Sequence, residues 1–422
     1  MSQFKEQRRS FIKWLTAAPV FGAVAMQDLS QKLMAATGGA ANVYERIGVR
    51  PLINARGTWT YLSGSLMFPE VRAAMDAASR QFVDMFELQA GVGKRLAALA
   101  GAEAAMVTSG AAGAMAAATS ACIAGSDPAN IWRLPDTTGL KNQVVMLGGR
   151  NAFDSAIRLA GAKLVIADSL SDLPAALNEQ TAMVYTTWRD DNLAKALEIT
   201  RPAKVPVLLD DAAGIPPFEN LSRYAKMGVD LYCFSGGKGM RGPQCAGLLL
   251  GRKNLIDAAL HNYCPYEGSI CRPMKAGKEE IIGMLTAVEI WKNTDLNALN
   301  REWNARVKRI SKLVGTVPGV STKIYVPEEG NSYPTLRVEW DEAKFGLTVA
   351  QCDAQLRDGT PRIEVLTNSN PSMVSAVEEE HDPKHVAPKN QLEIVSMTLQ
   401  DGEDLIVGRR LREILNNARN RA

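Results

Sequence analysis

Histidine is scarce in this chain, with His261, His381 and His385 the only three in 422 residues. The six cysteines, Cys122, Cys233, Cys245, Cys264, Cys271 and Cys352, form no CxxC pair. Those two shortages exclude the Cys/His zinc templates. The cysteines read instead as small, mostly buried side chains, although an oxidising compartment would permit a Cys264–Cys271 disulfide. Neither HExxH nor GxSxG is present, and Gly236-Gly237-Lys238 is followed by Gly239 where a Walker loop needs Ser or Thr. Charge is also lacking: the formal net charge is +3 and no long basic block occurs, so nothing argues for a nucleic-acid partner. What remains is 46% hydrophobic and 22% charged residues, an ordinary globular balance. A chain of this length can bury a sizeable core without staples.

The N-terminus reads as an address. Gln7-Arg8-Arg9-Ser10-Phe11-Ile12-Lys13 has the form of a twin-arginine export motif. The apolar run that follows, Trp14 to Ala25, is too short to span a bilayer. Ala23-Val24-Ala25 offers a small-x-small cleavage site before Met26. A basic amphipathic helix on the folded protein is the plainer alternative. The expectation is a signal peptide over 1–25, engagement of the twin-arginine export machinery and a periplasmic mature protein. That route carries folded proteins with their cofactors, followed here by an N-terminal arm over 26–50.

Beyond the arm, the chain alternates short apolar runs with helical patterns. Strands are expected at Ala104–Thr108, Val144–Leu147, Lys163–Ala167, Ala182–Thr186, Val205–Leu209, Leu231–Phe234 and Ala246–Leu250. Runs apolar throughout suit parallel strands covered on both faces. Val71 to Phe86 carries apolar residues at helical spacing, and Val92 to Ala100 continues helical up to Gly101. A long helical pattern from Glu279 to Val314 breaks near Asn293-Thr294-Asp295. Strands at Thr335–Trp340, Arg362–Leu366 and Leu392–Leu399, with helices at Leu347–Leu356 and Glu403–Asn417, make a small α+β domain. Residues 368–390 read as a surface loop. The fold class is therefore α/β: a large domain over 51–300 with a mostly parallel, doubly wound sheet, and a small C-terminal domain over 301–422.

Three features carry chemistry. The apolar run Leu231–Phe234 ends in Ser235-Gly236-Gly237-Lys238, a lysine on a glycine turn poised over a cleft. Ser-x-x-Lys after a strand is common in pyridoxal 5'-phosphate (PLP) enzymes, where the lysine forms the Schiff base and the serine holds the phosphate. A glycine turn with a solvent lysine is the bland alternative. The run Val205–Leu209 ends in Asp210-Asp211, and a carboxylate there could face the PLP pyridine nitrogen and keep it protonated. Both acids satisfy Asp-x-Ala, and Asp210 is preferred; a solvated pair or a helix cap is the alternative. Thr108-Ser109-Gly110-Ala111 places a small polar turn between strand and helix, suited to a phosphate on helix amides. Phosphate turn, acid and lysine in that chain order are stronger together than singly.

At these residues the chain resembles the PLP-dependent branch that holds L-seryl-tRNA selenium transferase and D-glucosaminate-6-phosphate ammonia-lyase. The resemblance rests on Ile53-Asn54-Ala55-Arg56-Gly57-Thr58, Phe82-Val83-Asp84-Met85 with Glu87-Leu88-Gln89, and Gly101 to Ala105. It continues through Thr108 to Ala112, Asp210 to Pro217, Phe234 to Gln244, and Arg272-Pro273-Met274-Lys275 with Gly277 to Glu280. It covers roughly residues 43–300 well and is closer to the ammonia-lyase members. The resemblance implies an aspartate-aminotransferase-like fold with Lys238 as Schiff-base lysine and proton shuttle, and Asp210 at the pyridine nitrogen. Ser109, Gly110, Ala111 and Ser235 would hold the phosphate. Lys278 would reach the partner subunit's phosphate in a homodimer, and Arg272 and Lys275 would line the same mouth. Arg56, Arg272 and Arg362 are candidates for a substrate's carboxylate or phosphate. The group stacking on the ring should come from the loop after Val144–Leu147, which here reads Gly148-Gly149-Arg150-Asn151 and then Phe153. The implied activity is a lyase on a small amino acid or amino-sugar acid. Racemase, aldolase or transferase chemistry, or binding without turnover, are the alternatives on the same site.

Overall fold

The computed structural model describes residues 43–327, 332–367 and 391–421. The expected signal peptide, most of the N-terminal arm and the 368–390 loop lie outside the described residues. Among the described residues, 43–53 with 360–362 form one compact unit and the remainder form a second. The first contains a short 3-10 turn, Glu45–Ile47, closed by Gly48 at φ 74°. Leu52–Ala55 (β1) and Arg362–Val365 (β11) make a two-stranded sheet of their own.

The second unit is built on seven strands. They are Ala104–Thr108 (β2), Gln143–Leu147 (β3), Lys163–Ala167 (β4), Thr181–Thr186 (β5), Val207–Asp210 (β6), Leu231–Ser235 (β7) and Gly247–Gly251 (β8). Their order is β2-β8-β7-β6-β5-β3-β4. All neighbours run parallel except β8, which is antiparallel to both β2 and β7. The last strand is therefore an exception to the parallel reading that its apolar run invites.

Alternation along the strands sorts side chains onto two cores. Met106, Met146, Met183, Tyr185, Leu208, Leu231, Cys233 and Leu249 face the alanine-rich helix Gly110–Ala124 and the helix Lys253–His261. Val107, Val145, Val184, Leu209, Tyr232, Phe234 and Leu248 face the opposite way, toward the helices Met85–Ala100, Asp191–Thr200, Asn220–Met227 and Lys278–Lys292. Both faces are covered, which is why the strands read as continuous apolar runs.

One expected helix is split. The helix Pro69–Ser79 stops before Arg80, and a new one begins at Met85, capped by Asp84, whose carboxylate accepts from the amides of Phe86 and Glu87. Phe82, Val83 and Phe86, which fit the helical spacing of the apolar residues, are exposed, Phe82 fully so. The cap wins because it satisfies helix amides that a continuous helix would have bonded internally. The break near Asn293 is present, between Lys278–Lys292 and Leu296–Val314. Val320–Tyr325 (β9), Thr335–Trp340 (β10) and Leu392–Val395 (β12) form an antiparallel sheet in the order β12-β10-β9. The helices Leu296–Val314 and Glu403–Arg419 pack against each other beside it.

Candidate active site

Because β2, β6 and β7 point the same way, their carboxyl ends share one edge of the sheet. The register aligns Thr108 with Gly247 and Gly247 with Ser235, so the ends of β2 and β7 stand in one row across β8. Adjacent strands lie about 4.8 Å apart. Asp210 pairs in register with Cys233 on the next strand. The turn after Thr108, Ser235 and the end of β6 are thereby gathered where ligands bind in open α/β sheets.

The alternation separates the two acids. Asp210 shares a face with Leu208, toward the helix Gly110–Ala124. Its Oδ2 accepts from Tyr185 Oη at 3.0 Å and its Oδ1 from the Ala212 amide at 3.0 Å, with Cys233 Sγ at 3.8 Å. Asp211 points to the other face, where Arg189 pairs with it at 3.0 Å and Tyr224 Oη donates at 2.7 Å. Burial, helped by the charge of Asp210, pushes the Asp211 carboxyl from the ordinary 3.8 up to about 6, against the pull of Arg189 and Tyr224. The folded state then holds a proton that the unfolded chain releases between those values, so stability from this group is lost as pH rises through the window. Relative to Asp211→Asn, the wild type is expected to lose on the order of 2 kcal/mol between about pH 4 and about pH 6.5. Denaturant titrations of both proteins across that range check it. An unchanged gap would mean that the Arg189 pair offsets burial.

Lys238 sits in a turn whose backbone is held from outside. Ser65 donates from its amide to Gly237 O at 2.9 Å and from Oγ to Lys238 O at 2.6 Å. At Gly64 a Cβ would lie 2.4 Å from Gly237 O, so only glycine lets this segment approach. The Lys238 side chain is half-buried. Among the described residues its amine has no carboxylate partner; Nζ lies 5.6 Å from the ring centroid of Phe153, which is 46% exposed. Lys238 and Asp210 both act on the buried Cys233 thiol. Burial first and Asp210 next push it well up, and Lys238 pulls it down.

Ser109 precedes the helix Gly110–Ala124 without capping it through its side chain. Its amide donates to Tyr263 Oη at 2.5 Å, and that hydroxyl donates back to Ser109 Oγ at 3.1 Å. A Cβ at Gly113 would meet Ser109 Oγ at 2.7 Å, and one at Gly247 would meet the Gly110 carbonyl carbon at 2.2 Å. These glycines leave room for the turn between strand and helix.

No family model matches the chain. A 5'-C-glycyluridine monooxygenase-decarboxylase from Streptomyces sp is 30% identical over 398 residues, spanning 90% of this chain and 93% of that protein. A D-glucosaminate-6-phosphate ammonia lyase from Salmonella typhimurium is 28% identical over 394 residues, 89% of this chain and 99% of its own length. A solved structure of D-glucosaminate-6-phosphate ammonia-lyase matches with a TM-score of 0.74 at 26% identity, covering 90% of this chain and 99% of that one. The chain belongs to the PLP-dependent ammonia-lyase and selenium-transferase family. Its members are enzymes, and this one is a PLP-dependent lyase or transferase.

The residues present fit the family's cofactor. Uncapped helix amides beyond Ser109 suit a phosphate, Asp210 retains a lone pair beside its three bonds, and among the described residues the Lys238 amine has no competing acid. Other candidates are placed less directly. Arg56 is buried, donating from Nη1 to Val365 O at 2.8 Å and from Nη2 to Thr367 O at 3.3 Å, with Trp59 and Tyr61 rings at 5.5 and 5.9 Å. Its Nε has no hydrogen-bond partner among the described residues. Lys278 opens its helix and pairs with Glu279. Arg272 is half-buried, with Nη1 4.0 Å from Cys264 Sγ, while Lys275 is exposed. Arg362 begins β11 in the first unit. Cys264 and Cys271 are free thiols, and Cys245 is exposed. Tyr263 and Tyr185 were not legible in the sequence. Each is a tyrosine near apolar residues, and no local pattern marks the hydroxyl that meets the site.

Proposed function

We propose that this protein is a PLP-dependent lyase acting on an unphosphorylated amino acid or amino-sugar acid. The reading is carried by the gathering of the Ser109 turn, Asp210 and the Lys238 turn at one edge of the sheet. Bound PLP supplies an electron sink for the charge left on the substrate's Cα when its proton departs. Amides of Gly110 and Ala111, with Ser109 and Ser235, would hold the phosphate. The Asp210 carboxylate would hold a proton on the pyridine nitrogen. Tyr185 donates to Asp210 while burial pushes its own hydroxyl well up, so it stays a donor. Phe153 would cover one ring face and exclude water. Lys238 Nζ would anchor the cofactor and, once the substrate amine replaces it, take the Cα proton. For a substrate carrying a β-hydroxyl, the overall reaction would be loss of that hydroxyl as water and release of ammonia on hydrolysis, leaving a 2-keto acid.

The same reading includes a homodimer in which Lys278, with Arg272 at the mouth, serves the neighbouring site. Phe82, Phe86 and Tyr266 support it as exposed apolar surface, Phe86 and Tyr266 meeting edge to face at 5.0 Å. It also includes twin-arginine export to the periplasm, where a phosphorylated sugar acid would be an odd substrate. The test is a screen of hydroxy amino acids and amino-sugar acids with and without phosphate, reading ammonia, keto acid, Cα proton exchange and oxygen uptake together. Ammonia and keto acid from an unphosphorylated compound are expected. Turnover only of phosphorylated compounds would overturn the substrate class. Proton exchange without ammonia would make the enzyme a racemase. Oxygen uptake with release of carbon dioxide would place it with the monooxygenase-decarboxylase relative.

A further inference from the structure

The loop after β3 is held more tightly than its exposure suggests. Gly148 and Gly149 take φ values of 94° and 91°, and a Cβ at Gly148 would lie 2.9 Å from Trp188 Nε1. The chain is thereby turned so that Asn151 faces β5. Asn151 Oδ1 accepts from the Phe153 amide at 2.9 Å, and its Nδ2 donates to Tyr185 Oη at 3.0 Å. Tyr185, 1% exposed, bonds Asp210 Oδ2 at 3.0 Å.

The direction of these bonds is forced. An amide N–H can only donate, so the Phe153 amide fixes which end of Asn151 is oxygen. The other end is then a donor, and it occupies a lone pair of the Tyr185 hydroxyl. The single hydroxyl proton is left for Asp210. Arg150 and Arg158 both pair with the buried Asp154, at 2.6 and 3.0 Å, and pin the following turn.

We propose that Asn151 and Tyr185 are positioning residues that join Phe153 and Asp210 into one hydrogen-bonded frame, so that the group over the cofactor ring and the group at its nitrogen are set together. The inference rests on the roles proposed above for Phe153 and Asp210. Two independent contacts would lose affinity multiplicatively when both are removed. A frame would not, because breaking the relay already frees the aromatic.

The test is a double-mutant cycle on PLP affinity, read by titrating the visible absorbance of cofactor-depleted full-length protein with PLP. Tyr185→Phe and Phe153→Ala are each expected to weaken binding about tenfold, a typical range for one buried unsatisfied group or one lost contact. The double variant is expected to lose only about tenfold to twentyfold, not about a hundredfold. Visible circular dichroism of the bound cofactor should fall alike in Tyr185→Phe and Phe153→Ala. Asn151→Ala, on the half-buried loop, provides a second route if Tyr185→Phe folds poorly; it should match Tyr185→Phe and add nothing to it. Multiplied effects, or unchanged dichroism in Tyr185→Phe, would overturn the frame alone. A wild type that gives no visible band with PLP would overturn the proposed site and the frame together.

Discussion

Replacing Lys238 with alanine is expected to abolish covalent capture of PLP and to lower turnover by about a thousandfold or more. The physical case is the state of the amine. It is half-buried on a turn that Ser65 holds through two backbone carbonyls, and it has no carboxylate partner among the described residues. A structural lysine so placed would normally pair, since burying an unpaired ammonium costs free energy. Alanine removes the amine without removing any hydrogen bond of the turn, so the thermal midpoint should move little. Borohydride reduction of the PLP-loaded wild type should leave pyridoxyl label on the peptide carrying Lys238, and none in the variant. Label on another lysine, or turnover retained in the variant, would remove Lys238 from the chemistry.

That lysine was legible because strand-end chemistry is written locally. A run of apolar residues followed by Ser235-Gly236-Gly237-Lys238 states both the strand and its unusual turn. The same holds for Thr108-Ser109-Gly110. The choice between Asp210 and Asp211 was not legible, because adjacent strand residues face opposite ways and sequence alone does not say which face carries which helix. Once Leu208 and Tyr185 are seen to face the helix Gly110–Ala124, the alternation separates them. The antiparallel course of β8 was hidden for a related reason: Gly247 to Gly251 is buried on both sides and looks like its parallel neighbours. Phe82, Val83 and Phe86 misled because helical spacing cannot distinguish a core stripe from apolar residues at a surface break. Tyr263, 154 residues from Ser109, meets it only through the fold.

The two acids yield opposite expectations that a pair of variants separates. Asp210→Asn should lower turnover on the order of a thousandfold, because a neutral amide no longer holds a proton on the pyridine nitrogen and the ring loses its pull on the Cα electrons. Its fold should survive, since asparagine keeps an acceptor for either Tyr185 or the Ala212 amide. Asp211→Asn should leave turnover within a few-fold, because its carboxylate is committed to Arg189 and Tyr224 on the other face. Its signature is the pH dependence of stability. The measurement is turnover of both variants at one pH above about 7, with denaturant stability of each followed from about pH 4 to about pH 6.5. A loss of turnover concentrated at Asp211 instead would mean that the cofactor's ring lies against the opposite face of β6, and the helix Gly110–Ala124 would no longer be the phosphate's anchor.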